Sequence, residues 1–534
     1  MDERKKSWVA IGSIWLVLLI LAAIRPLSLP DEGRYGDVGR WMFMSGDWLI
    51  PKLNGIPFFH KPPLLYWLQA AVFHFTGVHV WTARLVVAGH ALVMLVCLYL
   101  GVRQIRGENF ARKVVLVLGC SVGFLIGGQF LNHDFLVATW MTVATGLFAL
   151  AFQSQEKTNL FLARLGFVAC GFGFLSKGLI GVALPGLVIF TWLLVTGQIR
   201  RLLDFPWCSG LLLFFGVALP WLVRVQSQFP DFLNYFIIEQ HFARFKGTHF
   251  NNPQPWWFYL PVIAIFMFPW FFLVAWDLIN RLKAGFNFEN VRCIQIDRWT
   301  ALPWIWFLVI LLFFSIPQSK LVGYILPAIP PVALLVVDSW ERITANTKAS
   351  AIWFWSVCAL SALTAVGANF LARYNSLKDA SLDVAHVLHC NFYSGDRVYV
   401  AGDFPHDLSF ESNLQQPILI VQDWAIARKT AVDDWRRIFF EGADFDPLAG
   451  QVLQEVQSLN TVQQDGQSWL VTPAGFQLQK TPHLWDVVYK GTSWWLWRSG
   501  YSLAVDLTGP STVNAVLQTC QSPMMNRRDR RIGN

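Results

Sequence analysis

DEGRYGDVGRWMFMSGDWLIPKLNGIPFFHKPPLLY, residues 31 to 66, is a polar segment that lies between two strongly apolar segments of the chain. It holds three aspartates, one glutamate, two arginines, two lysines and one histidine. Ionisable side chains are costly next to hydrocarbon, so a dense group of them at the end of an apolar run usually has a function. The segment therefore predicts a polar basin at a membrane surface.

The composition places the chain in a lipid bilayer. Of its 534 residues, 54% are hydrophobic and only 14% are charged, and the mean hydropathy is +0.42. These values, with repeated long apolar runs, exclude a soluble globule and predict a polytopic α-helical membrane protein. The net charge of +8 fits basic cytoplasmic loops, so nucleic acid is not an expected partner.

The 8 cysteines are scattered, form no CxxC pair and lie mostly in apolar segments. This distribution argues against a thiolate metal site and against a disulfide framework. Cys390 and Cys520 are the pair that an extracytoplasmic tail would allow to form a disulfide.

Apolar windows of about the 20 residues that a span requires recur along the first two thirds of the chain and predict about 11 to 13 spans. They lie near 8–29, 81–102, 114–131, 135–152, 159–175, 178–196, 207–224, 256–279, 300–316, 321–338 and 350–371. The shorter window 63–77 suits a surface helix as well as a span. If it lies along the surface, every basic link between later spans falls on the side of the N-terminus, as the positive-inside rule requires.

This topology predicts two domains. A transmembrane domain covers 1–371, with a first extracytoplasmic loop at 31–79 and an extracytoplasmic lid at 225–255. A soluble α/β or α+β domain covers 372–534 on the same outer face, where the composition becomes polar. Its β-like runs are Arg397 to Ala401, Ile418 to Gln422 and Ser468 to Thr472.

The candidate catalytic group begins with Asp31, at the point where the first span leaves the membrane. Arg34 at i+3 would share a helical face with it, and Tyr35 at i+4 adds a hydroxyl. A carboxylate beside an arginine stays ionised, as a general base must. The alternative is that Asp31 and Glu32 only cap a helix.

His60 and Lys61 stand at the start of the predicted surface helix. A lysine there opposes the helix dipole unless an anion such as a phosphate binds, although it could also simply snorkel. His60 is compatible with two roles, that of a metal ligand and that of a hydrogen-bonded structural histidine. Within the lid, a helix would place His241 and Arg244 at i and i+3, and the alternative is an amphipathic interfacial helix.

Three more polar residues lie at the outer ends of later spans. Asp134 begins one span, and a carboxylate at that depth needs a cationic partner or water. Lys320 and Tyr324 occupy neighbouring turns, where they could clamp phosphate oxygens or only anchor the helix. The sequence has no Walker A loop, no GxGxxG after a strand and no HExxH helix, so no nucleotide cofactor is expected.

Several motifs resemble those of the bacterial aminoarabinose transferases and, more broadly, of the polyprenyl-phosphate-sugar glycosyltransferases related to protein O-mannosyltransferases. They occur in the same order as in that group and extend over essentially the whole membrane part. They are DEGRY at 31–35, SGDW at 45–48, PKLNG at 51–55, FHKPP at 59–63, YWL at 66–68, FLSKG at 174–178, YFIIEQHFARF at 235–245, PWWFYLP at 255–261 and SKLVGYILP at 319–327.

The resemblance implies a GT-C-like fold and two catalytic carboxylates, Asp31 and Asp134, the second of which corresponds to the acidic residue at the start of a later span. It implies a donor phosphate site formed by Arg34, Tyr35, Lys61, Arg244, Lys320 and Tyr324. The chain departs from the aminoarabinose transferases at His60, where those proteins typically carry glutamate. That position and the lid histidine, here His241, are associated with a divalent metal, so zinc or magnesium is the implied cofactor, and the sugar is left open.

The expected function is inverting transfer of a sugar from an undecaprenyl-type phosphate to an acceptor presented at the membrane. The resemblance implies lipid A or another glycolipid as acceptor, with protein O-mannosyl transfer as the alternative. A transporter is the rival from another class, but it would carry ionisable residues near the middle of its spans. The expected location is the bacterial inner membrane, with the active site on the periplasmic face.

Overall fold

The computed structural model describes residues 2–243, 252–284, 297–344, 350–393, 395–430, 433–460, 467–478 and 485–499. The described chain forms two compact units, and each unit is made of segments that are not consecutive in the sequence. The membrane unit consists of Met1–Arg25, Gly46–Pro51 and Phe59–Arg373. The tail unit consists of Pro26–Ser45, Lys52–Phe58 and Tyr374–Asn534. The predicted boundary at 371/372 stays a prediction.

Helices make up the membrane unit. They are α1 (Glu3–Ala23), α3 (Leu64–Thr76), α4 (Val80–Arg106), α5 (Glu108–Gly119), α6 (Val122–Gly127), α7 (His133–Ala151), α8 (Leu160–Lys177), α9 (Ile180–Val195), α10 (Trp207–Gln228), α11 (Tyr259–Phe266), α12 (Trp270–Ala284), α13 (Arg298–Ser315), α14 (Ile329–Thr344) and the greater part of α15 (Ser350–Asp379). Short 3-10 segments at Ile199–Asp204 and Val322–Ala328 and a π-helix at Asn234–Ala243 connect them.

Within the described residues, 8 helices are long and apolar enough to cross a membrane, or 9 if the pair α11 and α12, bent by 117°, counts as one span. The predicted polytopic helical fold is confirmed, with fewer full-length spans than the eleven windows. The window 114–131 is broken between α5 and α6, where Ser121 caps the new helix by accepting from the Phe124 N–H at 3.3 Å. The window 178–196 holds a helix of 16 residues.

Close helix packing depends on small residues. A Cβ on Gly173 of α8 would lie 2.9 Å from the carbonyl oxygen of Gly181 in α9, so no larger residue fits at this crossing. Such small-residue contacts let helix backbones approach in a membrane, where apolar side chains gain little by leaving lipid. The window 63–77 forms the 13-residue helix α3, which is not among the candidate spans.

The tail unit contains helix α2 (Asp31–Ser45), a two-stranded hairpin and a six-stranded sheet. The hairpin joins β1 (Lys52–Leu53) to β2 (Ile56–Pro57). The sheet has the order β5-β4-β3-β6-β8-β7. The four strands β5, β4, β3 and β6 are parallel to one another, and β8 is antiparallel to both of its neighbours, β6 and β7. Its strands are β3 (Arg397–Ala401), β4 (Leu419–Val421), β5 (Leu453–Gln454), β6 (Ser468–Pro473), β7 (Trp485–Lys490) and β8 (Trp494–Ser499).

Helices accompany the parallel strands, which makes the C-terminal region an α/β domain with an antiparallel edge. They are α16 (Leu382–Asn391), α17 (Leu408–Glu411), α18 (Trp424–Thr430) and α19 (Trp435–Phe445). The predicted strand over Arg397 to Ala401 is confirmed with its bounds, and the other two β-like runs also form strands. The core of the sheet is formed by Tyr399, Ala401, Val421, Leu459, Leu470 and Trp485.

A buried ion pair holds α2 within the tail unit. Asp37 accepts from Arg40 at 2.9 Å from Nε and 2.7 Å from Nη2, and the Arg40 guanidinium also donates to the Leu414 carbonyl. Asn54 of the hairpin turn exchanges two hydrogen bonds of 2.8 Å with the backbone of Ile418. These contacts join the segment after the first span to the C-terminal sheet.

We predict that Arg40→Ala strongly destabilises the tail unit. The Asp37 carboxylate would remain buried without its cation, and breaking a buried pair in this way costs about 3–5 kcal/mol. Thermal unfolding and limited proteolysis of the full chain in detergent measure the effect. Arg428→Ala is the matched control, because its pair with Asp444 is exposed and is worth about 1 kcal/mol or less. Equal effects of the two variants would contradict the anchoring role.

Candidate active site

The first turn of α2 presents the predicted base. Asp31 forms an ion pair with Arg34 at i+3, as its helical spacing predicts, and the Arg34 guanidinium lies 5.1 Å from the centroid of the Tyr35 ring. The Asp31 side chain is 42% exposed, whereas that of Arg34 is 17% exposed. The carboxylate is therefore accessible, while the cation beside it is held by its surroundings.

Glu32, the neighbour of Asp31, has a different environment. It is fully buried, and its Oε2 accepts from the Ser28 N–H at 2.8 Å. This contact satisfies a backbone donor at the start of the helix, which is the capping function that the sequence left open for the acidic pair. Glu32 is thus the structural member of the pair, and Asp31 is the member that can meet a substrate.

The membrane unit carries a second ionic cluster. Asn132 caps α7 by accepting from the Asp134 N–H at 3.0 Å, which places the Asp134 carboxylate in the first turn. Asp134 pairs with Lys177 at the end of α8, and the Lys177 Nζ lies 3.9 Å from the centroid of the Tyr324 ring. The predicted need of Asp134 for a cationic partner is thus met by Lys177, which is not among the predicted site residues.

Gly323 makes room for this second cluster. A Cβ on Gly323 would overlap the Asp134 carboxylate, so no other residue type fits there without moving it. The signal for Lys177 was present in the sequence as the FLSKG motif at the outer end of a span. Its partner lies 43 residues away on another helix, so local spacing could not identify the pair.

Two histidines of the membrane unit connect separate elements. His133 is buried, with Nδ1 2.9 Å from the Ser176 carbonyl and Nε2 3.0 Å from the Tyr66 hydroxyl. His60 has its Nε2 2.9 Å from the Tyr235 hydroxyl of the π-helix. A histidine that binds a metal through one nitrogen usually engages the other in a hydrogen bond, so the contact of His60 is compatible with both a structural and a metal-binding role.

Lys320 uses its ammonium group within the protein. Its Nζ donates to the Gln254 carbonyl at 3.0 Å and to the Pro317 carbonyl, and its backbone N–H donates to Asn252 at 3.2 Å. Burial lowers the pKa of the Lys320 ammonium. These contacts fit the anchoring alternative, and its phosphate-binding role stays a prediction.

Three predicted site residues remain, and the structure describes only part of them. Lys61 is half-buried ahead of α3, and His241 lies in the π-helical segment, which replaces the expected α-helical turn. The side chain of His241 and all of Arg244 lie outside the described residues. Among the residues that are described, no group of three or more His, Cys, Asp or Glu side chains could hold a metal ion.

In sequence and in structure, the chain is similar to glycosyltransferases that use lipid-linked sugars. The family model described as Dolichyl-phosphate-mannose-protein mannosyltransferase matches residues 60–223. An undecaprenyl phosphate-alpha-4-amino-4-deoxy-L-arabinose arabinosyl transferase of Sodalis glossinidius is 28% identical over 85% of this chain and 77% of that protein. The corresponding transferase of Pseudomonas savastanoi pv. phaseolicola is 31% identical over 61% of each chain, which is less than two thirds of its own length.

The fold extends this similarity over nearly the whole chain. The crystal structure of ArnT from Cupriavidus metallidurans bound to undecaprenyl phosphate superposes with a TM-score of 0.77 at 22% identity, over 93% of this chain and 98% of that one. The likeness shows that the chain has the same fold as this ArnT structure. The same ArnT in the apo state gives a TM-score of 0.75. The predicted GT-C-like fold and glycosyltransferase class are confirmed, and the individual site residues stay predictions.

We predict that Gly323→Ala impairs this glycosyltransferase by displacing the Asp134 carboxylate from Lys177. A displacement of this kind lowers the rate by about 10- to 100-fold when the group is part of the active site. The measurement is the initial rate of sugar transfer at equal amounts of folded protein. Gly186→Ala is the matched control, since a Cβ at that position meets no atom within 4 Å. A wild-type rate for Gly323→Ala would remove Asp134 from the catalytic group.

Proposed function

We propose that the protein transfers a sugar, with inversion, from an undecaprenyl-type phosphate donor to a hydroxyl or phosphate of lipid A or another envelope glycolipid. The oxygen of the acceptor attacks the anomeric carbon, the bond from that carbon to the phosphate oxygen breaks, and the polyprenyl phosphate leaves. A phosphate is a competent leaving group, so the reaction needs no strong general acid.

The accessible Asp31 carboxylate, paired with Arg34 at the first turn of α2, is the observation that carries this proposal. A carboxylate in this position can orient a hydroxyl acceptor and take its proton as the bond forms. It is also exposed enough to reach a bound substrate, in contrast to its buried neighbour Glu32.

The cations provide the electrostatic part of the reaction. We assign Arg34, Lys61 and Arg244 to the donor phosphate, where they stabilise the charge that grows as the sugar leaves. Asp134 is held by Lys177 beside the Tyr324 ring, and we assign this second cluster to the sugar or phosphate of the donor. A lipid-linked donor also accounts for the lack of nucleotide motifs in the sequence.

The relatives are named undecaprenyl phosphate-alpha-4-amino-4-deoxy-L-arabinose arabinosyl transferases, which supports a sugar linked to undecaprenyl phosphate as the donor. The mannosyltransferase family model over 60–223 favours a protein hydroxyl as the second candidate acceptor. The chain is a multi-pass membrane protein, and we assign it to the bacterial inner membrane with its site on the periplasmic face. Cys390 is disulfide-bonded, which fits an oxidising compartment. Its predicted partner Cys520 lies outside the described residues.

A divalent ion is a separate part of the proposal. We assign it to His60 and His241, although zinc sites usually have three or four protein ligands. No step of the proposed reaction passes through this ion, because two histidines alone do not complete a site.

We predict that Asp31→Asn abolishes sugar transfer, with a loss of about 100- to 10,000-fold, because the amide cannot accept the proton of the acceptor. Mass spectrometry of lipid A, total glycolipid and periplasmic glycoprotein from cells with the wild-type gene, the variant and the deletion measures the product. A sugar increment on lipid A that is lost in both mutants supports the proposal, and an increment on protein alone selects the second acceptor.

Asp446→Asn provides the control for Asp31→Asn. Asp446 accepts from the backbone N–H groups of Leu448 and Ala449 at 3.1 and 3.2 Å, a function that an amide oxygen can also perform. This variant should retain wild-type modification. Wild-type modification with Asp31→Asn, combined with none in the deletion, would keep the enzyme and reject Asp31 as the base.

We predict that purified full-length protein binds about one equivalent of zinc if the two histidines form a metal site. Inductively coupled plasma mass spectrometry after dialysis against a chelator-treated buffer measures the zinc content. His241→Ala should lose the metal, and His389→Ala, which removes a tail histidine bonded to the Ser412 carbonyl, should keep it. A metal-free wild type with full activity would reject this part of the proposal.

A further inference from the structure

A cavity of about 260 Å³ lies inside the membrane unit, between helices α4, α7, α13 and α14. Its wall is mostly apolar, with Leu98, Leu150 and Trp306 among the side chains that form it. Protein interiors are otherwise close-packed, so a space of this size calls for an occupant. An apolar cavity of about 150 Å³ stays free of water and binds benzene, so this one has room for part of an acyl chain.

The cavity lies at the end of the membrane unit opposite the Asp134 cluster. Asp134 is in the first turn of α7, and the lining residues between Thr142 and Leu150 follow it by about 12 to 24 Å along the helix axis. The start of the chain lies at the same end as the cavity, because Glu3 forms an ion pair with Arg112 in the helix that follows α4. The positive-inside rule assigns this end to the cytoplasmic leaflet.

The cavity opens at the outer surface of the helix bundle. Leu100 and Gln104 of α4 line it, and both are exposed. Leu100 is 40% exposed and belongs to an apolar helix long enough to cross the membrane, so its surroundings are lipid chains. An acyl chain can therefore enter the cavity from the side, without crossing a polar surface.

Two charged side chains, Arg106 and Asp338, contribute to the wall. The Arg106 Nη2 donates to the Asp338 carboxylate at 2.6 Å, and the guanidinium lies 4.2 Å from the centroid of the Phe110 ring. The Asp338 side chain is 5% exposed, whereas that of Arg106 is 29% exposed. The carboxylate is therefore covered, and the accessible charge is positive. A guanidinium carries five N–H donors, so donors remain for an anion.

The sequence around Arg106 adds positive charge at this end of the helices. Residues 103–113 contain four basic residues and one glutamate. Basic pockets between transmembrane helices on the cytoplasmic side bind the headgroups of anionic lipids, and a guanidinium is well suited to phosphate. An apolar cavity with an accessible arginine at its polar end fits a molecule that has both an acyl chain and a phosphate.

We propose that this cavity binds an anionic phospholipid of the cytoplasmic leaflet, with an acyl chain between α4 and α7 and the phosphate on Arg106. The lipid fills the space among the four helices and stabilises their packing. It is not the sugar donor, because a donor with its phosphate at the Asp134 cluster would have that group at the other end of α7. The proposal is independent of the proposed transfer reaction.

Native mass spectrometry of the purified full-length protein tests this site. The protein is stripped of lipid in detergent and titrated with phosphatidylglycerol or with phosphatidylcholine of the same chains. We expect one tightly bound phosphatidylglycerol per chain, with an affinity about fivefold above that of phosphatidylcholine, the effect of one basic residue on an anionic lipid. Glycerol phosphate, which has the charge and no chain, should not compete.

Gly146 allows the cavity to be filled by a side chain. It lines the cavity, and a Cβ there meets no atom within 4 Å. We expect Gly146→Leu to weaken phosphatidylglycerol binding by at least about tenfold and to raise the unfolding temperature of the lipid-free protein, because the leucine occupies the space of the chain. Gly186→Leu is the matched control, since Gly186 has equally open space and lies outside the cavity lining. It should bind phosphatidylglycerol as the wild type does.

A double variant tests the headgroup contact. Arg106→Gln combined with Asp338→Asn replaces both charges by amides, so no carboxylate is left buried without its cation. We expect this variant to bind the two lipids with equal affinity, because the chain site remains and the positive charge is gone. Added phosphatidylglycerol should raise the unfolding temperature of the wild type and of Gly186→Leu, and leave that of Gly146→Leu unchanged.

Equal affinity of the wild type and Gly146→Leu for phosphatidylglycerol would overturn the site, as would several equivalent lipids on each wild-type chain. A wild type that binds no phospholipid would also overturn it, whether residues 285–296, a second copy of the chain or a polyprenyl phosphate takes the space. A preference for phosphatidylglycerol that persists in the double variant would reject the phosphate contact with Arg106.

Discussion

Burial of the Arg40 guanidinium imposes the strongest constraint on the tail unit. A guanidinium keeps its charge in proteins and carries five N–H donors, so it can be buried only where acceptors surround it. Asp37 supplies the countercharge from the same helix, and the Leu414 carbonyl supplies an acceptor from the C-terminal region. Because both requirements are met together, α2 has one position relative to the C-terminal sheet. The turn that carries Asp31 is placed by residues from the opposite end of the chain.

The two ionic clusters differ in how much freedom they leave to the carboxylate. Asp31 is paired within one helix and is 42% exposed, so it can exchange part of its contact with Arg34 for contact with a substrate. Asp134 is 13% exposed and is held by a lysine from another helix and by the space left at Gly323. A group that must accept a proton needs access, whereas a group that orients a neighbouring cation needs a fixed position. This difference supports separate assignments for the two carboxylates.

Local patterns predicted the features that depend on local geometry. Helical spacing predicted the pair of Asp31 and Arg34, and the β-branched run at Arg397 to Ala401 predicted the central strand. The contacts that assemble the site are not local. Arg40 and Leu414 are 374 residues apart, and the spacing of residues within one segment has no information about such pairs. For the same reason the sequence shows Lys177 as part of the FLSKG motif but does not identify it as the partner of Asp134.

The different environments of Asp31 and Glu32 show that burial, more than position in the sequence, decides which of two adjacent carboxylates can react. Asp31 and Glu32 leave the first span together, and either could act as a base by residue type. Consecutive residues of a helix point in directions about 100° apart, so Asp31 and Glu32 meet different surroundings, and here only Glu32 points into the core. Glu32 is fully buried, and its Oε2 accepts a hydrogen bond from the Ser28 N–H, which stabilises the start of α2. Because Glu32 satisfies this backbone donor, Asp31 does not have to, and its carboxylate stays available beside Arg34. The capping interpretation and the catalytic interpretation of the acidic pair are therefore compatible, since each applies to one member, and the catalytic member depends on the structural one.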